Sequence, residues 1–432
     1  MRVLITGGYG FIGNVVCARL LRDGHEVVGA GRKVKWARKR YPNISWVHCD
    51  FNTDHDQKHW LPKLEKIDAV INCVGVLQDG GSDSTQNAHV TGLQALLTAC
   101  EQAGVTKFIH FSAIGADPAA NTAYARTKAA GAKLVKQSKL KWCILEPSLV
   151  LDRNVYGGSA VIRALAGLPL VVPLVFGNTN FQPVHMRDVT KIVSNLLEIS
   201  APVNIQMEVA GPDRMNLKQI VLLVRNWLGF GSAKFVDIPY WLVAPVFWGG
   251  DLLGKLGVRN SLRSTAAKQM RFDVGGDPEQ AVKNLGYQTR SVEYLFAHQP
   301  ASSADRLASR LKSFLPVSRI VLALYWILSG LIPLFISKQW SHKILEQAGF
   351  PETWHWTIWL FGGLADVILG VALLIGFRVR LVCMAMILMT VGYIGAISFL
   401  LPYLWIDPLA TVLKVFPMMA LAFLVAVMSD DR

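Results

Sequence analysis

The chain has 432 residues, 52% of them apolar, a mean hydropathy of +0.33 and a formal charge of +14. That length has room for two or three domains, and no nucleic-acid motif accompanies the charge, so nucleic acid is excluded as a partner. Six cysteines without a CxxC pair, most of them inside apolar runs, read as buried reduced thiols rather than a disulfide framework.

The first residues, "RVLITGG", read as a short buried strand with a sharp exit at Gly7 and Gly8. No apolar leader or cleavage site precedes it, so the front domain is expected to stay in the compartment where it is made. "FIGNVVCARLLRDG" then places Ile12, Val15, Val16, Leu20 and Leu21 at helical spacing up to Gly24. Gly7, Gly8, Gly10 and Gly13 lie between strand and helix. Glycine there lets the turn tighten, the backbone approach a pyrophosphate and the helix pack on its strand. The helix N-terminus adds free N–H groups and a positive dipole end.

"HEVVGAGR" reads as the second strand. An NAD site would end it with an acid for the ribose hydroxyls, but Arg32 and Lys33 stand there and suit a 2′-phosphate, so NADP(H) is expected over NAD(H). "TDHDQKH" brings Asp54, His55, Asp56 and His59 together in what reads as loop surface; no metal site is expected. "ISWVHCD" to Asp50, "AVINCVG" (69–75), "KFIHFSA" (107–113) and "WCILEPS" (142–148) read as further strands. Helices are expected around Gln86–Ala103 and Ala123–Ser138. This alternation implies an α/β fold with a doubly wound parallel sheet of Rossmann type, with ligands at the strands' carboxyl ends beside Asp50, Gly75 and Ser112. "YARTK" puts Tyr124 and Lys128 one helical turn apart, twelve residues after Ser112. An ammonium beside a phenol favours the phenolate, and such a tyrosine exchanges a proton with a carbonyl oxygen while serine hydrogen-bonds it.

"TGGYGFIG", "NCVG", "HFSAIGA" followed by "YARTK", "EPSLVL", "QPVHMRDV" (182–189) and "NLGYQTRSVEYL" together resemble the extended and atypical short-chain dehydrogenase/reductases. The likeness covers about residues 1–300 and is strongest to the NAD(P)H-binding branch that includes the large accessory subunit of respiratory complex I. The resemblance implies that Gly7, Gly8, Tyr9, Gly10, Phe11, Ile12 and Gly13 hold the pyrophosphate. It implies that Asp50 and Phe51 lie by the adenine, and that Ser112, Tyr124 and Lys128 run the chemistry. Val74, Gly75, Val76, Lys128 and Pro147, with Arg32 and Lys33, complete the implied nucleotide contacts. The serine–tyrosine spacing is short for the extended branch, and several atypical members bind nucleotide without known turnover.

Residues 151–300 supply the substrate side. "YGGSAVIRALAGLPLVVPLVFG" and "PYWLVAPVFWGGDLLGKLG" are apolar and aromatic-rich; core, a greasy pocket wall and a membrane-contacting face are all open readings. A basic linker (301–316) leads to four uncharged or singly interrupted runs: Ile320–Ser337, Thr357–Phe377, Leu381–Leu401 and Leu409–Met428. Each has 18–21 residues, enough to cross a bilayer core. An all-α four-helix transmembrane bundle over 317–432 is therefore expected. Arg306, Arg310, Lys312 and Arg319 precede the first run, and Arg378 and Arg380 fill the second-to-third turn. Both places, and with them both termini, are expected in the cytoplasm, at the inner membrane of a bacterium. "LADVILGVALL" and "LWIDPLATVLKVFP" resemble the DoxX-like membrane family over about 317–428, which implies topology more than function. Asp366 and Lys414 are the charges inside these runs, and the cost of an unpaired charge at that depth predicts that they face each other.

Two functions are consistent with these residues. One is a reductase held against the membrane, acting on a carbonyl or alcohol of a lipophilic molecule with NADP(H). The other is a non-catalytic NADP(H)-binding protein that senses redox state or helps assemble a membrane complex.

Overall fold

The central strands of the first half are built from residues that bury on both sides, as a parallel sheet covered by helices requires. The computed structural model describes residues 1–81, 83–255, 263–408 and 410–429, in two units, Met1–Arg306 and Leu307–Arg432. In the first unit, β1 (Arg2–Thr6), β2 (Glu26–Gly31), β3 (Ser45–His48), β4 (Ala69–Asn72), β5 (Lys107–Phe111) and β6 (Lys141–Pro147) join Ile205–Val209 in one parallel sheet. Their spatial order is Ile205–Val209, β6, β5, β4, β1, β2, β3. The chain runs outward from β1 to β3 and returns to place β4 on β1's other side. That reversal opens a crevice at the carboxyl ends of β1 and β4, where ligands of such sheets bind.

Alternate side chains feed two cores. Val3, Ile5, Ala69 and Ile71 pack with Val16, Cys17 and Leu20 of α1 (Phe11–Arg22) and with the helix Met186–Leu196. Leu4 and Val70 pack on the other face with Leu93, Leu96 and Cys100 of α3 (Gly92–Ala103) and Val135 of α4 (Ala123–Gln137). A short α2 (Val34–Arg40) follows β2. Each such aliphatic burial contributes roughly 1.5–3 kcal/mol, so the sheet is secured on both faces. All six cysteines are free, five of them buried.

The expected helix over Gln86–Ala103 begins as a π-helical turn, Asn87–Thr91, before α3. Gly131 lets α4 approach that turn, because a Cβ there would lie 2.5 Å from the His89 carbonyl. The two late motifs of the first unit meet in space. Asp188 of "QPVHMRDV" is fully buried and accepts hydrogen bonds from Tyr287 Oη (2.7 Å) and from Arg290 N (2.8 Å), Nε (3.0 Å) and Nη2 (2.5 Å).

Among the described residues, three helices are long and apolar enough to cross a membrane: Ser303–Ile336 (which begins in the first unit and ends in a π-helical turn), Glu352–Ile375 and Val379–Leu400. Gly376, at φ +77°, ends the second and permits the tight turn into the third. The fourth expected span is helical over only part of its length. Its first residue, Leu409, lies outside the described residues, and helix covers only Val415–Met428, 14 residues or about 21 Å. Thr411 hydroxyl donates to the Asp407 carboxylate, Ala410 sits at φ +50°, and residues 411–414 form a turn ahead of the helix. This helix packs on Val379–Leu400, with Ala422 and Val425 buried beside Val382, Cys383 and Met386.

The expected Asp366–Lys414 pair is not formed. Asp366 is buried and accepts from Ser329 Oγ (3.0 Å) and Tyr393 Oη (3.2 Å), hydroxyls of the two flanking helices. Lys414 is exposed at the N-terminal end of the last helix. Neighbouring hydroxyls satisfy the carboxyl from two sides, and the Asp407 turn leaves the lysine outside the helix.

Candidate active site

The crevice between β1 and β4 is floored by backbone. Gly7 turns at φ +68°, and a Cβ on it would lie 3.1 Å from the Cys73 carbonyl. A Cβ on Gly13 would overlap the Gly7 carbonyl, so the first turn of α1 rests directly on the loop. Gly10 precedes α1 without a side-chain cap, and the first turn, with Phe11 and Ile12 half-buried, holds no acidic residue. The leading N–H groups and the dipole therefore remain for an anion, and this cradle fits a dinucleotide pyrophosphate.

Tyr9 serves the protein itself. Its ring sits against Gly31, where a Cβ would come within 2.5 Å, and its Oη accepts from Lys33 N (3.0 Å). Trp36 and Trp46 flank it at 5.7 and 5.8 Å. The loop is thus pinned to the end of β2. There Arg32 Nη1 forms an ion pair with Asp83 Oδ1 at 2.7 Å, while Lys33 is exposed. Beyond β3, Asp50 Oδ1 accepts from the Asn52 backbone (3.0 Å) and amide (3.1 Å), and Phe51 is buried edge to face with Trp60.

At the end of β4, Val74 N donates to Asn72 Oδ1 (3.2 Å) and Val76 N to His89 Nε2 (3.0 Å). His89 escaped the sequence reading, since a single histidine in a helical run carries no local signal. With Nε2 accepting, its Nδ1–H donates to Thr127 Oγ1 (2.8 Å), and Thr127 in turn donates to Ala123 O (2.8 Å). Burial, with Lys128 and His110 nearby, pushes its pKa down to about 2, so it stays neutral and locks the Gly75–Val76 turn to α4. Pro147 closes β6 beside Val209.

Two of the three expected catalytic residues, Ser112 and Lys128, meet at the end of β5. Lys128 is buried, and its Nζ donates to the Phe111 carbonyl (2.7 Å), next to Ser112. The same ammonium stands 3.5 Å from where a Cβ on Gly75 would be, which links it to β4. Ser112 N donates to Leu145 O (2.8 Å), while its buried Oγ has no hydrogen-bond partner. Such an orphan calls for a ligand or a water. Tyr124 lies one turn before Lys128, its ring edge-on to His89 at 5.8 Å.

Without nucleotide, the Tyr124 phenol is not lowered towards the expected phenolate. Burial alone pushes the Tyr124 phenol up to about 12, and Lys128 Nζ donates to the Phe111 carbonyl. Burial also pushes Lys128 down to about 8, with Cys73 acting weakly the other way. With its pKa raised, the Tyr124 phenol keeps its proton at neutral pH.

Residues 3–198 match the NAD dependent epimerase/dehydratase family, and 323–423 match the DoxX-like family. The mouse mitochondrial NADH dehydrogenase (ubiquinone) 1 alpha subcomplex subunit 9 is 30% identical over 315 residues, 68% of this chain and 80% of its own length. A UDP-glucose 4-epimerase of Klebsiella pneumoniae is 32% identical over 124 residues, 26% of this chain and 88% of that protein. A solved UDP-glucuronic acid 4-epimerase from Bacillus cereus, complexed with UDP-glucuronic acid and NAD, shares the fold. It has 18% identity and a TM-score of 0.51 over 69% of this chain and 98% of that one. With the glycine cradle, the switch-point crevice and three long apolar helices in place, the chain belongs to the NAD dependent epimerase/dehydratase family and is a membrane protein carrying a DoxX-like domain.

Proposed function

We propose that this protein is a membrane-anchored NAD(P)H-dependent oxidoreductase that reduces a carbonyl, or oxidises the matching alcohol, on a lipophilic molecule at the cytoplasmic face. The observation that carries the reading is the buried, unpartnered Ser112 hydroxyl beside Lys128, with Tyr124 one turn away. Gly7–Gly13 would hold the pyrophosphate, and Lys128 and Gly75 would meet the nicotinamide half. When bound, the nicotinamide supplies or accepts hydride. Ser112 Oγ orients the substrate oxygen, and the neutral Tyr124 phenol gives it a proton. Arg32 and Lys33 favour NADP(H), although Asp83 shares the Arg32 charge. The stretches beyond β6 offer more apolar than convergent polar surface, which suits a lipophile better than a sugar nucleotide.

A second reading, a nucleotide-binding redox sensor or assembly factor of a membrane complex, draws on the likeness to the complex I subunit. The full chain in lipid nanodiscs, given NADPH and a panel of membrane aldehydes, ketones and quinones, separates the two. Oxidation of NADPH by at least one compound, abolished in Tyr124→Phe with nucleotide binding intact, is expected. Binding without turnover across the panel supports the second reading, and full activity in Tyr124→Phe removes the proposed donor.

A further inference from the structure

The helix Tyr240–Lys255 in the first unit is apolar along most of its length and turns much of that apolar surface outward. Trp241 (72% exposed), Leu242, Val246, Trp248 (64% exposed) and Leu252 face outward. Its acidic residue, Asp251, turns inward to Arg263 Nε (3.3 Å) and Ser264 N (3.2 Å), and Ala244 is buried. Two exposed tryptophans and three aliphatic side chains on one surface of one helix need an apolar cover.

We propose that this helix lies in the headgroup–acyl boundary of an anionic bilayer. Three observations favour lipid over a protein partner. The same chain carries long apolar helices, so the first unit is tethered covalently to a membrane. Tryptophan with leucine and valine is the side-chain mixture that seats an interfacial helix, with the indole at headgroup depth. The charge is complementary: residues 307–432 hold nine Lys/Arg against six Asp/Glu, so all but three of the +14 charges belong to the first unit. Exposed Lys268 and Arg271, in and just after the adjoining helix Ser264–Met270, stand ready for lipid phosphates. The seat goes beyond the redox reading and does not depend on it.

Spin-label depth measurement on the full chain tests the seat. Trp248→Cys, and separately Leu252→Cys on the same stripe, are labelled and reconstituted in phosphatidylcholine–phosphatidylglycerol vesicles and in phosphatidylcholine alone. Ile199→Cys, on an exposed turn, is the aqueous reference, and the unmodified chain measures background from its own cysteines. Labels at 248 and 252 are expected to collide more with lipid-soluble oxygen than with a water-soluble nickel chelate, more strongly with phosphatidylglycerol present, and 199 the reverse. A nickel-accessible label at 248 and 252 overturns the proposal. Shielding from both reagents also overturns it, because a second copy or another protein then covers the helix. Equal depth in the two vesicle types overturns the anionic assignment.

Discussion

Burying the Lys128 ammonium makes folding harder. Its folded pKa of about 8 lies below the ordinary 10.5, so between those values the unfolded chain keeps a proton that the folded chain has lost. The contribution of this group to stability therefore rises with pH through that window, and its penalty is greatest below about 8. A shift of that size corresponds to about 3 kcal/mol, offset in the comparison with an apolar side chain by the hydrogen bond to Phe111. Lys128→Met should accordingly stabilise the nucleotide-free chain at neutral pH by about 1–2 kcal/mol, read from thermal or denaturant unfolding. A loss of stability would show that the ammonium is a structural tie. The positions of Ser112, Tyr124 and Lys128 were legible because strand end and helical turn are local patterns. The state of Tyr124 was not, since burial is set by distant segments. Nor was the Arg32–Asp83 pair, whose partners lie 51 residues apart.

At the scale of elements, the strands were readable to within a few residues because they are short apolar runs between turn residues. "KFIHFSA", for example, yields Lys107–Phe111. The fourth apolar run is helical over fewer residues than its length suggests, because composition does not register the Thr411–Asp407 hydrogen bond or the positive φ of Ala410. The same turn separates Lys414 from Asp366, whose partners are hydroxyls on two other helices. A double-mutant cycle follows from this arrangement. Asp366→Asn and Tyr393→Phe should couple by about 0.5–1.5 kcal/mol in detergent unfolding, the range of interhelical hydrogen bonds in membranes. Asp366→Asn and Lys414→Met should simply add. Coupling to Lys414 but not to Tyr393 would reinstate the ion pair.

For the whole molecule, a nucleotide-binding sheet and a membrane-spanning unit on one chain make sense if the reaction needs the bilayer. The elements around the crevice extend towards the apolar helix proposed as its lipid seat. Gln269 Nε2 donates to Thr122 Oγ1 (2.6 Å) at the start of α4, and Arg263 Nη1 to the Asp79 carbonyl (2.7 Å) beyond β4. The proposed reaction presupposes a nicotinamide nucleotide in the cradle beside Lys128. The most direct test is titration of the full chain in nanodiscs with NADPH and NADH, followed by the fluorescence of the bound reduced nicotinamide, in unmodified protein and in Lys128→Met. Saturable binding is predicted, tighter for NADPH, and weakened about tenfold or more by Lys128→Met, as loss of a charge-assisted hydrogen bond implies. Absence of saturable binding to either nucleotide, or affinity indifferent to Lys128, would contradict the account.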